Sequence, residues 1–329
     1  MMLAIWGYLI VVIFMILIMS KKATPFTALV LVPLVIGLLA GFGSKVGPFS
    51  LAGIKSVAPT VVLLLFAILY FGLMITAGLF DPLVRLILRM VKGDPLKVLV
   101  GTAILASVVS VDGDGSTTTM IVCSAMIPVY KKLDMKMMDL AVIIILANEI
   151  MNLLPWGGPT ARIIAALNLD EGELLRRILP GMFIAIVWVL IVAVIRGLAE
   201  RKRLGIRELT DEDIAEMHAT QTNEDVALLR PKMLWPNFIL TMVLMVLLVF
   251  GGMYGLPKVH ASVIFEVGFA IALLLNYRKL SDQQAIINIH GANALQVVTM
   301  VLAAGIFMGM LNESGMSKAI GQSLADWVP

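Results

Sequence analysis

Two aspartates lie two residues apart in a polar stretch that apolar sequence encloses on both sides, residues 111–117 (VDGDGST). Carboxylate and hydroxyl oxygens are the ligands that hard divalent cations prefer. Two carboxyl groups held close together also push the pKa of one of them upward, which suits proton transfer. Ionisable groups at membrane depth are usually functional. Asp112, Asp114, Ser116 and Thr117 therefore predict a site for a cation, a proton or both. The simpler interpretation, that Asp114 or Ser116 caps the following helix, explains only one of these oxygens.

The composition places the whole chain in the membrane class. Apolar residues make up 60% of the 329 residues, charged residues 14%, and the mean hydropathy is +0.98. These values leave no soluble domain of useful size. The single cysteine, Cys123, excludes an intramolecular disulfide, and the three histidines have no metal-ligand spacing.

The apolar runs that flank the polar stretch are too short to cross a bilayer. Val98 to Ser110 and Met120 to Tyr130 each have about a dozen residues, or roughly 17 to 20 Å as helix, against a hydrocarbon core of roughly 30 Å. We therefore expect a re-entrant hairpin whose tip stops near the midplane. Non-helical backbone is tolerated there only where protein or a water-filled cavity surrounds it.

A second irregular segment follows about thirty residues later. The apolar run Leu140 to Leu154 carries Asn148, Glu149 and Asn152, is interrupted by residues 155–159 (PWGGP), and resumes over 161–169. This pattern predicts one discontinuous helix broken near mid-depth, where transporters place substrates and ions. The second half would begin near Thr160.

Arg162 would then fall in the first turn of that second half-helix. A guanidinium beside a helix N-terminus is suited to binding a carboxylate. The alternative, in which Arg162 reaches toward the membrane interface, is equally compatible with the sequence.

The remaining segments predict further membrane crossings and two peripheral pieces. Asp81 to Val91, with Arg85 and Arg89 one turn apart, is typical of an interfacial amphipathic helix or of an extension of the preceding crossing. A helix start is predicted at Thr210 in the polar linker, and Glu266 is a lone acid within an apolar run. The predicted crossings are Leu3 to Met19, Ala23 to Phe42, Val57 to Phe80, Leu179 to Ile195, Phe238 to Met253, Val263 to Leu274 and Ala294 to Leu311.

The distribution of basic residues predicts the orientation. Most of the 25 lysines and arginines fall on one face if the loop with Lys21 and Lys22 is cytoplasmic. We therefore expect the N-terminus outside the cell membrane and the hairpin entering from the cytoplasm.

The second half of the chain resembles an inverted copy of the first. It has three crossings followed by a weakly amphipathic tail, and Gly72 and Gly78 have counterparts at the same spacing in Gly309 and Gly315. The predicted fold is an all-α polytopic membrane protein of the inverted-repeat secondary transporter class. The predicted divisions are a first repeat over 1–198, a cytoplasmic linker over 199–233 and a partial second repeat over 234–329, without a second hairpin or a second broken helix.

The motifs DGDGSTT and NEIMNLLPWGGPTAR together resemble the citrate-divalent metal:proton symporter family, CitMHS, of the ion transporter superfamily. The resemblance covers essentially the whole chain. It implies a membrane transporter, not an enzyme, that takes up citrate with Mg²⁺ or Ca²⁺ and protons, has no permanently bound cofactor, does not bind nucleic acid and forms a possible homodimer. It also implies one half-site, in which Asp112, Gly113, Asp114, Gly115, Ser116 and Thr117 face Asn152, Gly157, Gly158, Pro159 and Thr160.

Charge supports that substrate, because two aspartates would repel a free tricarboxylate by several kcal/mol at low effective dielectric. A bound cation or proton reverses the sign. We therefore assign Asp112 and Asp114 to metal or proton handling, Ser116 and Thr117 to hydrogen bonds with citrate, Arg162 to a citrate carboxylate, and Glu149 to a second proton-carrying role.

Two other interpretations stay open from the sequence. One is a truncated or split carrier without transport activity of its own, because the second hairpin of the family pattern is missing. The other is a related carrier for a different small anion. An intramembrane aspartyl hydrolase fits poorly, because it needs two aspartates on different helices.

Overall fold

A computed structural model of the chain describes residues 2–91, 93–113, 115–167, 169–206, 228–251 and 258–325. Every regular element in these residues is helical. The α-helices are α1 (Met2–Met19), α2 (Pro25–Leu39), α3 (Val46–Thr76), α4 (Asp81–Val91), α5 (Pro95–Val109), α6 (Gly115–Lys132), α7 (Met137–Met151), α8 (Gly158–Leu167), α9 (Glu171–Leu204), α10 (Leu234–Phe250), α11 (Ala261–Asn276), α12 (Leu280–Glu313) and α13 (Met316–Ala325). Short 3₁₀ turns lie at Gly43–Lys45, Ser110–Asp112 and Pro231–Met233.

Five helical segments among the described residues are long and apolar enough to cross a membrane. They are Met2–Met19, Gly43–Thr76, Glu171–Leu204, Pro231–Phe250 and Leu280–Glu313. Helices of this length and composition are typical of a multi-pass membrane protein. The chain is therefore all-helical and polytopic, as the sequence predicts.

One predicted crossing is shorter than expected, because the run Ala23 to Phe42 contains only the 15 residues of α2. Helix α11, with 16 residues, extends two residues beyond each end of the predicted crossing Val263 to Leu274. At the start of α2, the Thr24 hydroxyl caps the helix by accepting a hydrogen bond from the Thr27 amide, and Pro25 occupies the first turn. At its end, Gly41 adopts φ +88°, which terminates the helix.

Helix α4 has the bounds that the sequence predicts for an interfacial helix. It is not an extension of α3, because α3 ends at Thr76 and Gly78 turns the chain at φ +87°. Val84, Ile87, Leu88 and Val91 are buried on one side, while Arg85 and Arg89 are exposed.

One other predicted crossing changed at its edges. The predicted crossing Leu179 to Ile195 is the middle of the 34-residue helix α9, which continues to Leu204 into the expected linker. The helix start predicted at Thr210 lies outside the described residues. The C-terminal tail contains helix α13.

The described chain forms two compact units, and the larger one comprises residues 66–161 and 169–291. Its core is the helical hairpin α5–α6 packed with α4, α7 and α9. The close approach of α5 and α9 depends on a glycine, because a Cβ added at Gly197 of α9 would lie 2.9 Å from the Leu96 Cα of α5.

Buried acids at one end of this unit hold the hairpin and α7 to α9. Asp139 of α7 pairs with Arg196 of α9, and Glu200 of α9 accepts a hydrogen bond from the Lys136 amide, just before α7, at 3.3 Å. Asp94, which caps α5, lies 3.5 Å from Arg201. These three acids are nearly fully buried, so removing one partner would leave an uncompensated charge.

The smaller unit comprises residues 1–65, 162–168 and 292–329. Helix α1 packs against α2 and α13, and the Tyr8 hydroxyl lies 2.7 Å from the Ser323 hydroxyl. Helices α3 and α12 cross at glycines: a Cβ added at Gly309 would lie 2.3 Å from the Phe49 carbonyl oxygen, and one at Gly53 would lie 2.0 Å from the Gly305 carbonyl oxygen. Each compact unit combines separate stretches of the chain, whereas the predicted repeats and linker are continuous in sequence. The division into two repeats and a linker stays a prediction.

We expect Gly309→Ala to destabilise the protein, because the new methyl group forces α3 and α12 apart, and overpacking costs about 1–3 kcal/mol. The measurement is the thermal unfolding midpoint in detergent. Gly291→Ala is the matched control in the same helix, since no atom lies within 4 Å of its added Cβ, and alanine there improves helix propensity by up to about 1 kcal/mol. Equal midpoints for the two variants would contradict the close crossing.

Candidate functional site

The hairpin tip is a tight backbone turn between two helices. Helix α5 gives way to the 3₁₀ turn Ser110–Asp112, and Gly113 then adopts φ +74°. The Gly113 amide donates to the Ser110 carbonyl at 3.0 Å. Helix α6 begins at Gly115. The hairpin arms are longer than predicted, at roughly 22 and 27 Å, but both stay below the thickness of the hydrocarbon core.

The interruption predicted after α7 is present. Helix α7 ends at Met151, residues 152–157 form successive turns, and α8 begins at Gly158, two residues earlier than expected. The Thr160 hydroxyl donates to the Asn152 carbonyl at 3.0 Å. A Cβ added at Gly157 would lie 2.3 Å from that same carbonyl oxygen, so the turn needs glycine there.

The hairpin tip, residues 110–113, and the helix break, residues 152–157, lie directly against each other. The Trp156 indole N–H donates to the Val111 carbonyl at 2.7 Å. A Cβ added at Gly113 would lie 3.2 Å from Trp156 and 3.3 Å from the Gly157 Cα. The indole itself is 2% exposed and packs against Phe71 and Phe265. A single aromatic side chain therefore links the two irregular segments.

Three buried oxygens near this contact have no hydrogen-bond partner in the described part of the chain: the hydroxyls of Ser107 and Thr118 and the amide oxygen of Asn148. They lie on α5, α6 and α7 respectively, the three helices that lead into the tip and the break. Asn148 packs against the tip, since a Cβ at Gly115 would lie 2.7 Å from its amide nitrogen. Buried polar atoms normally have partners, so these oxygens are available to a ligand.

Two helix N-termini meet the same region. The first turn of α6 contains Ser116 and Thr117, and the first turn of α8 contains Pro159 and Thr160. Amide groups at helix N-termini favour anions. The region thus combines neutral oxygen atoms suited to a cation with N–H groups suited to an anion.

The structure brings together only part of the predicted site. Gly113, Gly115, Asn152, Gly157 and Thr160 lie at the tip and the break. Gly158 has open space around it, and Pro159 is exposed. Asp114 lies outside the described residues, as do the side chains of Asp112, Ser116 and Thr117.

Two predicted side chains are exposed. Glu149 is exposed on α7, whereas its neighbour Asn148 faces the tip. Arg162 is exposed on α8 and belongs to the smaller unit. Their proposed roles stay predictions.

Sequence reasoning assigned no role to Ser107, Thr118, Asn148 or Trp156. One signal was available for Asn148, because it lies one helical turn before Asn152 and so shares its face of the helix. Ser107 and Thr118 carry no such signal, since hydroxyl residues are common in membrane helices. Trp156 was visible only as part of the PWGGP interruption.

We expect Trp156→Phe to loosen the hairpin tip, because the bond to the Val111 carbonyl is lost at a cost of about 1 kcal/mol. Hydrogen–deuterium exchange of the peptide covering the tip should accelerate about fivefold. The matched control is Trp188→Phe, since Trp188 is exposed on α9. Unchanged exchange at the tip in Trp156→Phe would show that the indole does not hold it.

Comparison with known proteins adds an independent line of evidence. The CitMHS family, described as citrate transporter, matches residues 14–329. The chain is 46% identical over its whole length to a "Citrate transporter" of Bacillus subtilis (strain 168), covering 74% of that protein. It is 45% identical to a "Mg(2+)/citrate complex secondary transporter" of the same organism, again over the whole chain and 74% of the relative.

These matches confirm the resemblance seen in the two motifs. They also confirm that the chain is a transporter rather than an enzyme, because its relatives carry transporter names and belong to one transporter family. This multi-pass membrane protein belongs to the CitMHS family of citrate transporters.

Proposed function

We propose that the protein takes up citrate as a complex with a divalent metal, in symport with protons. The observation that carries this proposal is the contact between hairpin tip and helix break, beside three buried oxygens that have no hydrogen-bond partner among the described residues. The name of one relative, a Mg²⁺/citrate complex transporter, supports the metal complex as cargo.

The oxygen atoms of this region suit a hard cation. Hydroxyl, amide and carboxylate oxygens are the ligands of Mg²⁺ and Ca²⁺. We assign the cation to Asp112 and Asp114, with Asn148 and Thr118 as additional oxygen donors next to the tip. Binding of the cation would offset the repulsion between the two aspartates and the citrate carboxylates.

The anionic part of the cargo requires donors. The proposed donors are the Ser116 and Thr117 hydroxyls, the N-terminal amides of α6 and α8, and the Arg162 guanidinium. The Thr160 hydroxyl bonds to the Asn152 carbonyl across the break, so the role that we propose for this pair is to fix the turn that positions these amides. Glycines 113, 115, 157 and 158 let backbone approach the cargo without side chains in between.

Proton coupling is assigned to the aspartate pair. Two carboxylates that share a site hold one proton more tightly than an isolated carboxylate does. A proton held by one aspartate while the metal–citrate complex is bound would cross the membrane together with the cargo, as symport requires. Glu149, exposed one residue beyond Asn148 on α7, is the second proton carrier that we propose.

We also infer an inverted repeat, which the contacts of α3 and α12 support. An offset of 237 residues relates Gly72 to Gly309, Gly78 to Gly315 and Gly53 to His290. Gly72 packs against His290, and Gly309 packs against Gly53. The offset relates Gly72 to Gly309 and His290 to Gly53, so each of these two contacts is the counterpart of the other. Gly78 and Gly315 both have positive φ and each precedes a short helix, α4 or α13.

The proposed orientation places the N-terminus outside and the hairpin feet in the cytoplasm. In this orientation, the ion pairs of Arg196, Arg201 and Arg203 would lie at the cytoplasmic end of the protein. On the outer side Asp170 lies 2.9 Å from Lys258. The Glu173 amide and Lys258 together hold the pKa of Asp170 below its ordinary value.

We expect vesicles containing the protein to accumulate citrate only with Mg²⁺ or Ca²⁺ and an intact proton gradient. Asp112→Asn and Asp114→Asn should each lower uptake more than tenfold, because a charged cation ligand and a proton site are lost together. Asn148→Ala and Thr118→Val should weaken uptake by roughly ten- to a hundredfold. The measurement is the initial rate of labelled citrate uptake across a range of metal concentrations.

Asp134→Asn is the matched control for the aspartates, because Asp134 is exposed in the loop after α6 and asparagine tolerates its φ of 59°. Its uptake should equal that of the unmodified protein. Metal-dependent, proton-coupled uptake that survives both tip substitutions would refute the assignment. Uptake of citrate without any divalent metal would refute the proposed cargo.

The orientation can be measured by cysteine labelling in a Cys123→Ser background. Lys45→Cys should react with a membrane-impermeant maleimide in intact cells, because Lys45 is exposed in the loop between α2 and α3 on the outer side. Lys202 is exposed near the C-terminal end of α9, which the proposed orientation places in the cytoplasm, so Lys202→Cys should react only after permeabilisation. The opposite pattern would reverse the proposed topology.

A further inference from the structure

Helices α10 and α11 are joined by a reciprocal pair of asparagine side chains. The Asn237 amide nitrogen donates to the Asn276 amide oxygen at 2.9 Å, and the Asn276 amide nitrogen donates to the Asn237 amide oxygen at 2.8 Å. Both residues are buried. Because each amide supplies a donor and an acceptor, the pair fixes its own geometry in both directions. Neither residue belongs to the hairpin tip or to the helix break.

A third helix joins this pair through two hydroxyl groups. The Thr241 hydroxyl of α10 donates to the Asn237 carbonyl at 2.8 Å. Since this bond uses the hydroxyl hydrogen of Thr241, the Tyr70 hydroxyl of α3 donates to the Thr241 oxygen, at 2.8 Å. Tyr70 and Thr241 are buried as well. The four side chains therefore form one buried network that links α3, α10 and α11.

The network ends on the aromatic side chains that pack around Trp156 of the helix break. The centroid of the Tyr70 ring lies 5.4 Å from that of Phe71 and 5.9 Å from that of Phe265. Phe71 and Phe265 in turn lie 6.0 and 5.1 Å from Trp156. All four aromatic side chains are buried. Because buried side chains are closely packed, a displacement of Tyr70 or Phe265 would also displace Trp156.

One buried face of α11 carries both Phe265 and Asn276. The two residues are eleven positions apart, which is about three helical turns, so they point in nearly the same direction. Gly268 and Ala272 are buried between them, and a Cβ at Gly268 would lie 2.5 Å from the Leu244 side chain of α10. A polar pair within a largely apolar helix interface can specify the register in which the helices pack.

We propose that the asparagine pair and the Tyr70 hydroxyl position the helix break for transport. By setting the rotation of α11, the pair decides where Phe265 lies against Trp156. Tyr70 holds the Phe71 side of the same aromatic cluster through its bond to α10. These residues act through the cluster and not on the cargo itself. The inference rests on the proposed function of the tip and the break as the cargo site.

Stability alone does not require the asparagine pair. Replacing both partners of a buried hydrogen bond by apolar groups of similar shape is often nearly neutral, whereas removing one partner leaves the other unsatisfied at a cost. Two leucines make no directional bond, so they can pack in more than one rotation of α11. Single and double substitutions therefore separate a stabilising role from a positioning role.

The test is hydrogen–deuterium exchange of the peptide covering the break, residues 152–157, in the full chain without citrate or metal, with thermal midpoints measured in parallel. Asn237→Leu and Asn276→Leu should each lower the midpoint and accelerate exchange. The double variant should recover the midpoint but keep exchange about fivefold faster than in the unmodified protein. Tyr70→Phe keeps the ring and should accelerate exchange with little change in the midpoint.

Asn288→Leu is the matched control, because Asn288 is exposed on α12 and accepts its hydrogen bond from Gln284, which is exposed too. Exchange at the break should be the same in this variant as in the unmodified protein. A double leucine variant that regains both the midpoint and the slow exchange would overturn the proposal. Tyr70→Phe decides the question if the leucine variants do not fold, since unchanged exchange in that variant would overturn it as well.

Uptake of labelled citrate with Mg²⁺ separates this inference from the proposed function. The double variant should need about fivefold more metal–citrate complex for half-maximal uptake, because its binding-competent conformation is less populated. Unchanged uptake in a double variant with fast exchange would overturn the role in transport. If the unmodified protein takes up no citrate while exchange responds as expected, the proposed function fails and the positioning of the break by the network stands.

Discussion

The hydrogen bond from the Trp156 indole to the Val111 carbonyl is the contact on which the candidate site depends. Inside a membrane, a turn and a helix break each leave backbone groups without intrahelical partners, and each unsatisfied group is costly. Because the two irregular segments lie against each other, a side chain in the break supplies a hydrogen bond to a backbone carbonyl at the tip. The aromatic packing of Trp156 with Phe71 and Phe265 keeps water from replacing the bond.

Among the described residues, three buried oxygens on the helices that lead into this contact remain unpaired. The hydroxyls of Ser107 and Thr118 and the amide oxygen of Asn148 could have been exchanged for apolar groups if stability alone mattered. Their retention at the tip is consistent with a ligand that supplies the missing partners. Strain and unsatisfied groups tend to concentrate at functional sites in this way.

The rest of the larger unit holds the hairpin at its feet rather than at its tip. The buried acids Asp94 and Asp139 pair with Arg201 and Arg196 of α9, Glu200 of α9 accepts a hydrogen bond from the Lys136 amide, and Gly197 lets α5 approach α9 closely. Such pairs contribute little net stability but are costly to break. They therefore specify the position of the feet.

The sequence by itself determined the membrane class, the family, the bounds of α4 and the presence of both irregular segments. Each of these depends on local features: apolar run lengths, the spacing of Arg85 and Arg89, and Gly and Pro in the two motifs. Only the tertiary structure decided that Asn148 and not Glu149 faces the tip and that Trp156 joins the tip to the break. It also decided that Ser107 and Thr118 are buried with no partner in the part of the chain that the structure describes. These facts depend on the rotation and approach of packed helices. Neighbouring residues on a helix point about 100° apart, so a small rotation set by packing decides which of two polar side chains enters the site.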